Sequence, residues 1–311
     1  MVYMRHRRFL PRTHQYRSLK KKFDNTVEEG LAPPVLKGTE IYAQLKHLKV
    51  VHGKGQFKCM GRGIGKGNGK GKDKGKEKEK GIVIEDQPAP IPKPVWKRRS
   101  ILWDLPYWEH LDVRHSIDVM HIEKNVCESI IGTLLNMKDK TKDSANARLE
   151  AMKLRGEKPP KDAAQGKPLP VSYVCNKKEA KGLCDSLYGM YFAYGYATNM
   201  QRIVSKKENK VTGMKSHDCH ILMTQTLPVA IRNILTPHVR HTLTKLCEFF
   251  NTISRKVIDP SKLEDLQKDV VETLCNLEMI FPPSFFDNMV HLIVHLVHEI
   301  KMCGSIYLQS M

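Results

Sequence analysis

Three sequence patterns are absent from this chain, and each absence excludes a class of protein. Its eight cysteines lie far apart, without a Cys-x-x-Cys pair or a secretory hydrophobic region, which predicts free thiols in a reducing compartment. No stretch approaches the ~18–20 uninterrupted apolar residues that a membrane span needs. No Gly-Lys pair precedes Ser or Thr, so the Gly-rich stretch is not a P-loop. We therefore expect a soluble, intracellular protein with no membrane partner.

Positive charge is plentiful and lies mostly in one third of the chain. The net charge is +19, and residues 1–100 contain 25 lysines and arginines against 9 acidic residues. Residues 101–311 contain 27 against 24, which is close to balance. A basic excess at one end favours contact with a polyanion, most simply the nucleic-acid backbone. The alternative is a solvated basic tail without a specific partner.

The first 25 residues alternate cationic and aromatic side chains. Guanidinium groups bind phosphate while aromatic rings stack on exposed bases, so this pattern is typical of a nucleic-acid surface. The predicted DNA-binding residues are Arg5, Arg7, Arg8, Arg12, Arg17, Lys20, Lys21 and Lys22. The alternative is an irregular arm whose aromatic residues attach it to the core.

Composition divides the chain into five segments. A basic amino-terminal segment (1–50) is followed by a Gly/Lys- and Pro-rich linker (51–95), which is predicted to be disordered because it has little apolar surface to bury. A strand–helix unit (96–137) precedes a charged, flexible connection (138–170). Residues 171–311 form a helical carboxy-terminal region.

Apolar periodicity predicts a mainly α-helical fold. A short strand is expected over 110–118, followed by a helix over 119–137. Apolar residues recur at helical spacing from Val239 to Val257, and a second helix follows Asp259-Pro260. A third helix is predicted from about Ser284 to Met302, and it ends before Gly304. Three such helices with short breaks predict a carboxy-terminal helical bundle.

Four blocks of the chain resemble the plant CACTA (En/Spm-type) DNA transposases. They are Met4–Asn25, Leu105–Asp143, Gly213–Leu235 and Glu272–Gly304, in the order that the family has them. The resemblance implies that the helical carboxy-terminal region (171–311) is a transposase-associated domain of unknown function. The resemblance implies a partial RNase H-like fold of the DDE/D transposase type and a nuclear location.

The resemblance also implies where a catalytic centre would lie. In DDE/D transposases three carboxylates hold two Mg²⁺ ions that cleave and join phosphodiesters. Asp118 would be the second carboxylate, His121 would orient a metal-bound water or contact phosphate, and Glu299 is the candidate for the third. The alternative for Asp118 is an N-cap of the helix that begins at Val119.

Histidines give a second candidate for metal binding. Asp287, His291, His295 and His298 follow one another at offsets of four, four and three, so they share one helix face. Two histidines at i, i+4 can chelate a metal, and the predicted metal ligands are therefore Asp118, His291 and His295. The alternative is a polar stripe on a bundle helix. For the His217–His220 cluster a role in a turn is favoured, because adjacent side chains point in different directions.

The extent of the resemblance sets the expected function. The family's first catalytic Asp and a cysteine pair would precede Met4–Asn25, and the family continues beyond the carboxy terminus of this chain. We expect a truncated transposase relic without productively bound Mg²⁺, catalytically inactive, with residual non-specific DNA binding. One alternative is a domesticated DNA- or protein-binding assembly module that forms homo-oligomers or binds full-length transposase. Another is an Mg²⁺-dependent transposase completed by a partner subunit.

Overall fold

The computed structural model describes residues 2–50, 98–111, 113–138, 140–157, 171–192 and 199–306. The predicted linker (51–95) lies outside these residues, as do residues 139 and 158–170 of the predicted connection (138–170). The chain forms two compact units. Met1–Pro34 and His115–Met311 make up the larger unit, and Val35–Arg114 makes up the smaller one.

Helices dominate the described residues, which confirms the prediction of a mainly helical fold. The α-helices are α1 (Gly38–Leu45), α2 (Val119–Leu134), α3 (Ala145–Arg155), α4 (Lys177–Tyr188), α5 (Met200–Ile203), α6 (Ser216–Ile221), α7 (Leu227–Ala230), α8 (Pro237–Ile253), α9 (Leu263–Ile280) and α10 (Asn288–Cys303). A π-helical segment, Leu222–Thr226, joins α6 to α7. Among the residues that the structure describes, no helix is both long enough and apolar enough to cross a membrane.

The predicted carboxy-terminal bundle is present in the larger unit. Helix α9 packs between α8 and α10, and α10 also packs on α2. The apolar stripe of α8 is fully buried from Val239 to Ile253. The predicted extension to Val257 is wrong, because α8 ends at Ile253 and Val257 is 85% exposed in the turn before α9.

The strand predicted over 110–118 is absent from the described part of that range. Residues 113–118 are irregular, because no neighbouring strand supplies backbone hydrogen bonds. The only two strands among the described residues are β1 (Val204–Ser205) and β2 (Lys210–Val211), which pair antiparallel with Val204 opposite Val211. A single hairpin of two strands with two residues each does not make an RNase H-like sheet. The RNase H-like remnant therefore stays a prediction.

The smaller unit contains α1 and two 3₁₀ turns, Ile101–Asp104 and Trp108–His110. Tyr42 of α1 stacks on Trp103, with 5.7 Å between ring centroids. Gly38 begins α1 next to the second turn, where a Cβ would lie 2.0 Å from the carbonyl oxygen of Glu109. Only glycine permits this close approach.

Candidate nucleic-acid interface and carboxylate junction

The amino-terminal segment, residues 2–34, folds as an irregular arm on the bundle. Its 3₁₀ turn His6–Phe9 packs against α9, and Leu10 and Phe23 enter the common hydrophobic core. Tyr3 stacks on His291 of α10 with 5.2 Å between ring centroids. The aromatic residues therefore attach the arm to the core, as the alternative interpretation predicted.

Two of the predicted DNA contacts, Arg7 and Arg17, are buried, with 1% and 4% of their surfaces exposed. Arg17 donates hydrogen bonds to the carbonyl oxygens of Arg7 and Leu10, at 2.9 and 3.0 Å. Arg7 pairs with Asp24 at 2.6 Å and lies 4.4 Å from the centre of the Phe23 ring. Both guanidinium groups are used inside the fold, because a buried charge needs partners. They are not available to a phosphate.

The pairing with Arg7 also affects the pKa of Asp24. Burial alone would raise the pKa of its carboxyl group. The hydrogen bond from Thr26 and the charge of Arg7 outweigh burial and hold the pKa below its usual value. The arm is thus organised by internal ion pairing, which sequence pattern alone does not distinguish from a surface of free arginines.

The remaining predicted DNA contacts lie at the surface. Arg5, Arg12, Lys20, Lys21 and Lys22 are exposed. Arg8 is half-buried and bonds Glu28 at 3.2 Å. These side chains give the outer face of the arm a strong positive charge.

Lys21 and Lys22 line an open cavity of about 400 Å³ that sequence reasoning did not find. Its described lining is Tyr16, Lys21, Lys22, Arg155, Glu157, His238 and Met279. Arg155 ends α3, and His238 is the second residue of α8. Lys21 and Lys22 of the arm and Arg155 of α3 therefore bring cations from two separate parts of the chain to one concave site, with Glu157 as the one acidic residue in that described lining.

Helix ends contribute to the electrostatics of this cavity. The guanidinium of Arg155 donates to the carbonyl oxygen of Met279 at 2.8 Å, so the carboxy-terminal end of α9 holds it in place. The first residues of α8 present backbone N–H groups without a side-chain cap from Thr236. Exposed lysines beside a helix start without a side-chain cap form an arrangement that favours an anion. We refer to this site as the basic cavity.

The structure brings two of the predicted catalytic residues near each other. Glu299 accepts a hydrogen bond from the backbone N–H of Ile117, the residue before Asp118, at 2.5 Å. Asp118 itself accepts from the backbone N–H of His121 at 2.9 Å. Asp118 is therefore the N-cap of α2, the alternative considered for it, and His121 lies exposed one turn into the helix.

This junction does not fit a pair of Mg²⁺ ions. Two Mg²⁺ ions need several carboxylate oxygens converging on one point. Among the described residues, no group of three His, Cys, Asp or Glu side chains is placed to hold a metal ion. The two carboxylates at the junction each bond a main-chain N–H instead.

His291 and His295 pack against aromatic rings and against each other. Their ring centroids are 5.2 Å apart, and Phe9 lies 5.9 Å from His295. Burial, with added repulsion from His6 and His295, lowers the pKa of His291 to about 4. Burial also lowers the pKa of His295. Burial at the junction between the arm and α10 therefore favours the neutral form of both rings.

The side chains of the His217–His220 cluster diverge, as adjacent positions on a helix require. Asp218 accepts from the backbone N–H of Lys215 at 2.8 Å and so caps α6. Cys219 is buried in the core. His220 pairs with the buried Glu123 of α2 at 2.8 Å, and this hydrogen bond raises the pKa of His220. The cluster connects α6 to α2.

Comparison with known proteins places the two ends of the chain. Residues 1–48 match the transposase family tnp2, and residues 253–311 match a domain of unknown function, DUF4218. No curated protein and no solved structure matches the chain. The amino-terminal segment is therefore similar to the tnp2 transposase family, and the carboxy-terminal segment is similar to DUF4218.

Proposed function

We propose that this chain is a transposase-derived protein that binds DNA through the phosphate backbone and does not itself cleave it. The observation that carries the proposal is the basic cavity, where Lys21 and Lys22 of the tnp2-matching segment meet Arg155 and His238. A site of this kind neutralises phosphates without reading bases. Binding of this class is non-specific in sequence.

Charge and geometry support the phosphate backbone as the ligand. Lys21 and Lys22 are exposed. Neither forms an ion pair with any acidic residue that the structure describes. Arg12 and Lys20 extend the positive surface along the arm. Lys21 and Lys22 belong to the folded arm, in which Arg7 and Arg17 are buried and paired with groups of the arm itself. The two exposed lysines are therefore held on an ordered surface.

The absence of cleavage is part of the proposal. Strand cleavage by the family's chemistry needs three carboxylates around two Mg²⁺ ions. The Asp118–Glu299 junction supplies two carboxylates, and both bond backbone N–H groups. The proposal places the protein in the nucleus, where chromosomal DNA is found.

The test is the salt dependence of DNA binding by the full chain. Replacement of Lys20, Lys21 and Lys22 by alanine should weaken binding to a labelled duplex equally for all sequences. It should also reduce the slope of log affinity against log salt by about one per lysine. The linker lysines stay unchanged in this variant, so the difference reports on the folded surface.

A charge-matched control is available on α4. Lys177, Lys178 and Lys181 are exposed and are not in the described lining of the basic cavity, and their replacement by alanine removes the same charge. This control should leave the salt slope within error of the unchanged chain. Equal losses in the two triple variants would contradict a defined binding surface. Mg²⁺-dependent nicking of plasmid by the unchanged chain would contradict the proposed lack of cleavage.

A further inference from the structure

A second open cavity, of about 530 Å³, lies where the end of α8 meets the start of α9. We refer to it as the apolar cavity, because its lining includes the buried Leu263 and the half-buried Ile258 and Leu266. Val257 also lines it and is 85% exposed, the highest exposure of any large apolar side chain among the described residues. A hollow and an exposed apolar side chain therefore lie side by side on one surface.

Exposed charges of both signs surround the apolar cavity. Lys262 immediately precedes α9, while Asp265 and Asp269 lie about one and two turns further along the same face. Asp265 is paired with Lys268 at 3.1 Å. Lys262 and Asp269 form no ion pair with any residue that the structure describes. The face thus has an unpaired cation at one end and an unpaired anion at the other.

Two-fold symmetry makes this face complementary to itself. When two copies of α9 lie antiparallel about an axis near Leu266, Lys262 of each copy faces Asp269 of the other. The same rotation turns Val257 of each copy towards the apolar cavity of the other. A partner with charge of only one sign would place a like charge opposite one end of the face. The charge pattern therefore favours a second copy of this chain as the occupant.

We propose that the turn between α8 and α9, together with the first two turns of α9, is the interface of a homodimer of this chain. The apolar cavity has ten described lining residues, against roughly 20–30 residues a side in a standard interface. The dimer is therefore weak and reversible, with a dissociation constant on the order of 10–100 µM. The described linings of the apolar and basic cavities share no residue, so dimerisation is separable from DNA binding.

Sedimentation velocity of the full chain without DNA, from about 1 µM to about 300 µM, tests the proposal. The sedimentation coefficient should rise with concentration towards the value of a dimer. Val257→Lys should weaken association about tenfold or more, because it places a charge in the apolar cavity of the partner. Val229→Lys is the matched control, since Val229 on α7 is 63% exposed and is not in the described lining of the cavity. This control should associate as the unchanged chain does.

Charge reversal tests the antiparallel pairing itself. Lys262→Glu alone and Asp269→Lys alone each place like charges opposite one another, so each should weaken association about tenfold. The double variant, Lys262→Glu with Asp269→Lys, restores opposite charges and should dimerise within about threefold of the unchanged chain. A chain that stays monomeric at every concentration would overturn the proposal and leave the cavity to a partner of another kind. Equal association of all variants would also overturn it, because the dimer would then use another surface.

Discussion

His6 and Glu278 are 272 positions apart in the sequence, yet His6 Nδ1 and Glu278 Oε1 lie 2.6 Å from each other. Both residues are almost completely buried, at 0% and 3% exposure. The backbone N–H of His6 donates to the same carboxylate oxygen at 3.0 Å. Both hydrogen bonds to the buried Glu278 carboxylate come from His6. The carboxylate therefore has its hydrogen-bond partners only when the arm is in its native position.

Removal of the Glu278 carboxylate should destabilise the whole chain. Glu278→Ala leaves the His6 ring and backbone N–H buried without an acceptor, which costs about 3 kcal/mol or more in free energy of unfolding. Urea unfolding of the full chain measures the change. Glu272→Ala is the matched control, since the exposed pair with His14 contributes about 1 kcal/mol at most. An equal decrease in the free energy of unfolding in the two variants would contradict the prediction that the buried His6–Glu278 pair contributes more than the exposed His14–Glu272 pair.

The carboxy-terminal bundle was predictable from sequence because its apolar spacing is regular. From Val239 to Ile253 every predicted core position of α8 is buried, and Gly304 follows α10 with a φ of 82°. The predicted strand over 110–118 failed for a different reason. A short apolar run has no intrinsic strand character without a neighbouring strand, and Ile117 bonds the Glu299 side chain instead.

The candidate sites were less predictable than the helices. The surface lysines of the arm follow from charge pattern, but Arg155 and His238 reach the basic cavity only through the packing of α3 and α8. The burial of Arg7 and Arg17 was equally hidden, since their partners are backbone carbonyl oxygens and Asp24. Contacts of this kind depend on tertiary structure and leave no periodic signal in the sequence.

The two interpretations of Asp118 give different mutant behaviour. As an N-cap it accepts from the backbone N–H of His121, so Asp118→Ala should cost about 1 kcal/mol in free energy of unfolding. Asp118→Asn keeps an acceptor oxygen, so it should lower the free energy of unfolding by only a few tenths of a kcal/mol. Thermal unfolding with and without Mg²⁺ measures both changes, and added Mg²⁺ should not alter the difference. Plasmid nicking that needs Mg²⁺ and disappears in Asp118→Asn would instead establish a catalytic role.

Acidification should weaken the contact between the arm and α10. The pKa of His291 is about 4 in the folded chain against 6.5 ordinarily, so the unfolded chain takes up the proton first. The stability contributed by neutral His291 is complete above pH 6.5 and is lost as the pH falls towards 4. His291→Gln should therefore make the free energy of unfolding less dependent on pH in this window.

His220 provides the control with the opposite sign. Its hydrogen bond to Glu123 raises the pKa, so its contribution to stability is present at low pH and is lost as the pH rises through the folded pKa. His220→Gln should then steepen the loss of stability on acidification, while His291→Gln reduces it. Chemical unfolding at several pH values from 4 to 8 measures both. The same change of slope in the two variants would contradict the assignment.

Arg155 tests whether the basic cavity acts as one site. Arg155→Gln removes the charge next to Lys21 and Lys22 together with the guanidinium's hydrogen bond to the carbonyl oxygen of Met279. We expect DNA affinity to fall about threefold to tenfold at low salt, with a reduction of about one in the salt slope. Combined with Lys22→Ala, the loss of DNA affinity should be less than additive, because two cations that neutralise the same phosphate are coupled.

Fluorescence anisotropy with a labelled duplex measures all three variants. Full additivity would mean that Arg155 and Lys22 contact separate phosphates, and no loss in Arg155→Gln would exclude the cavity from the DNA-binding surface.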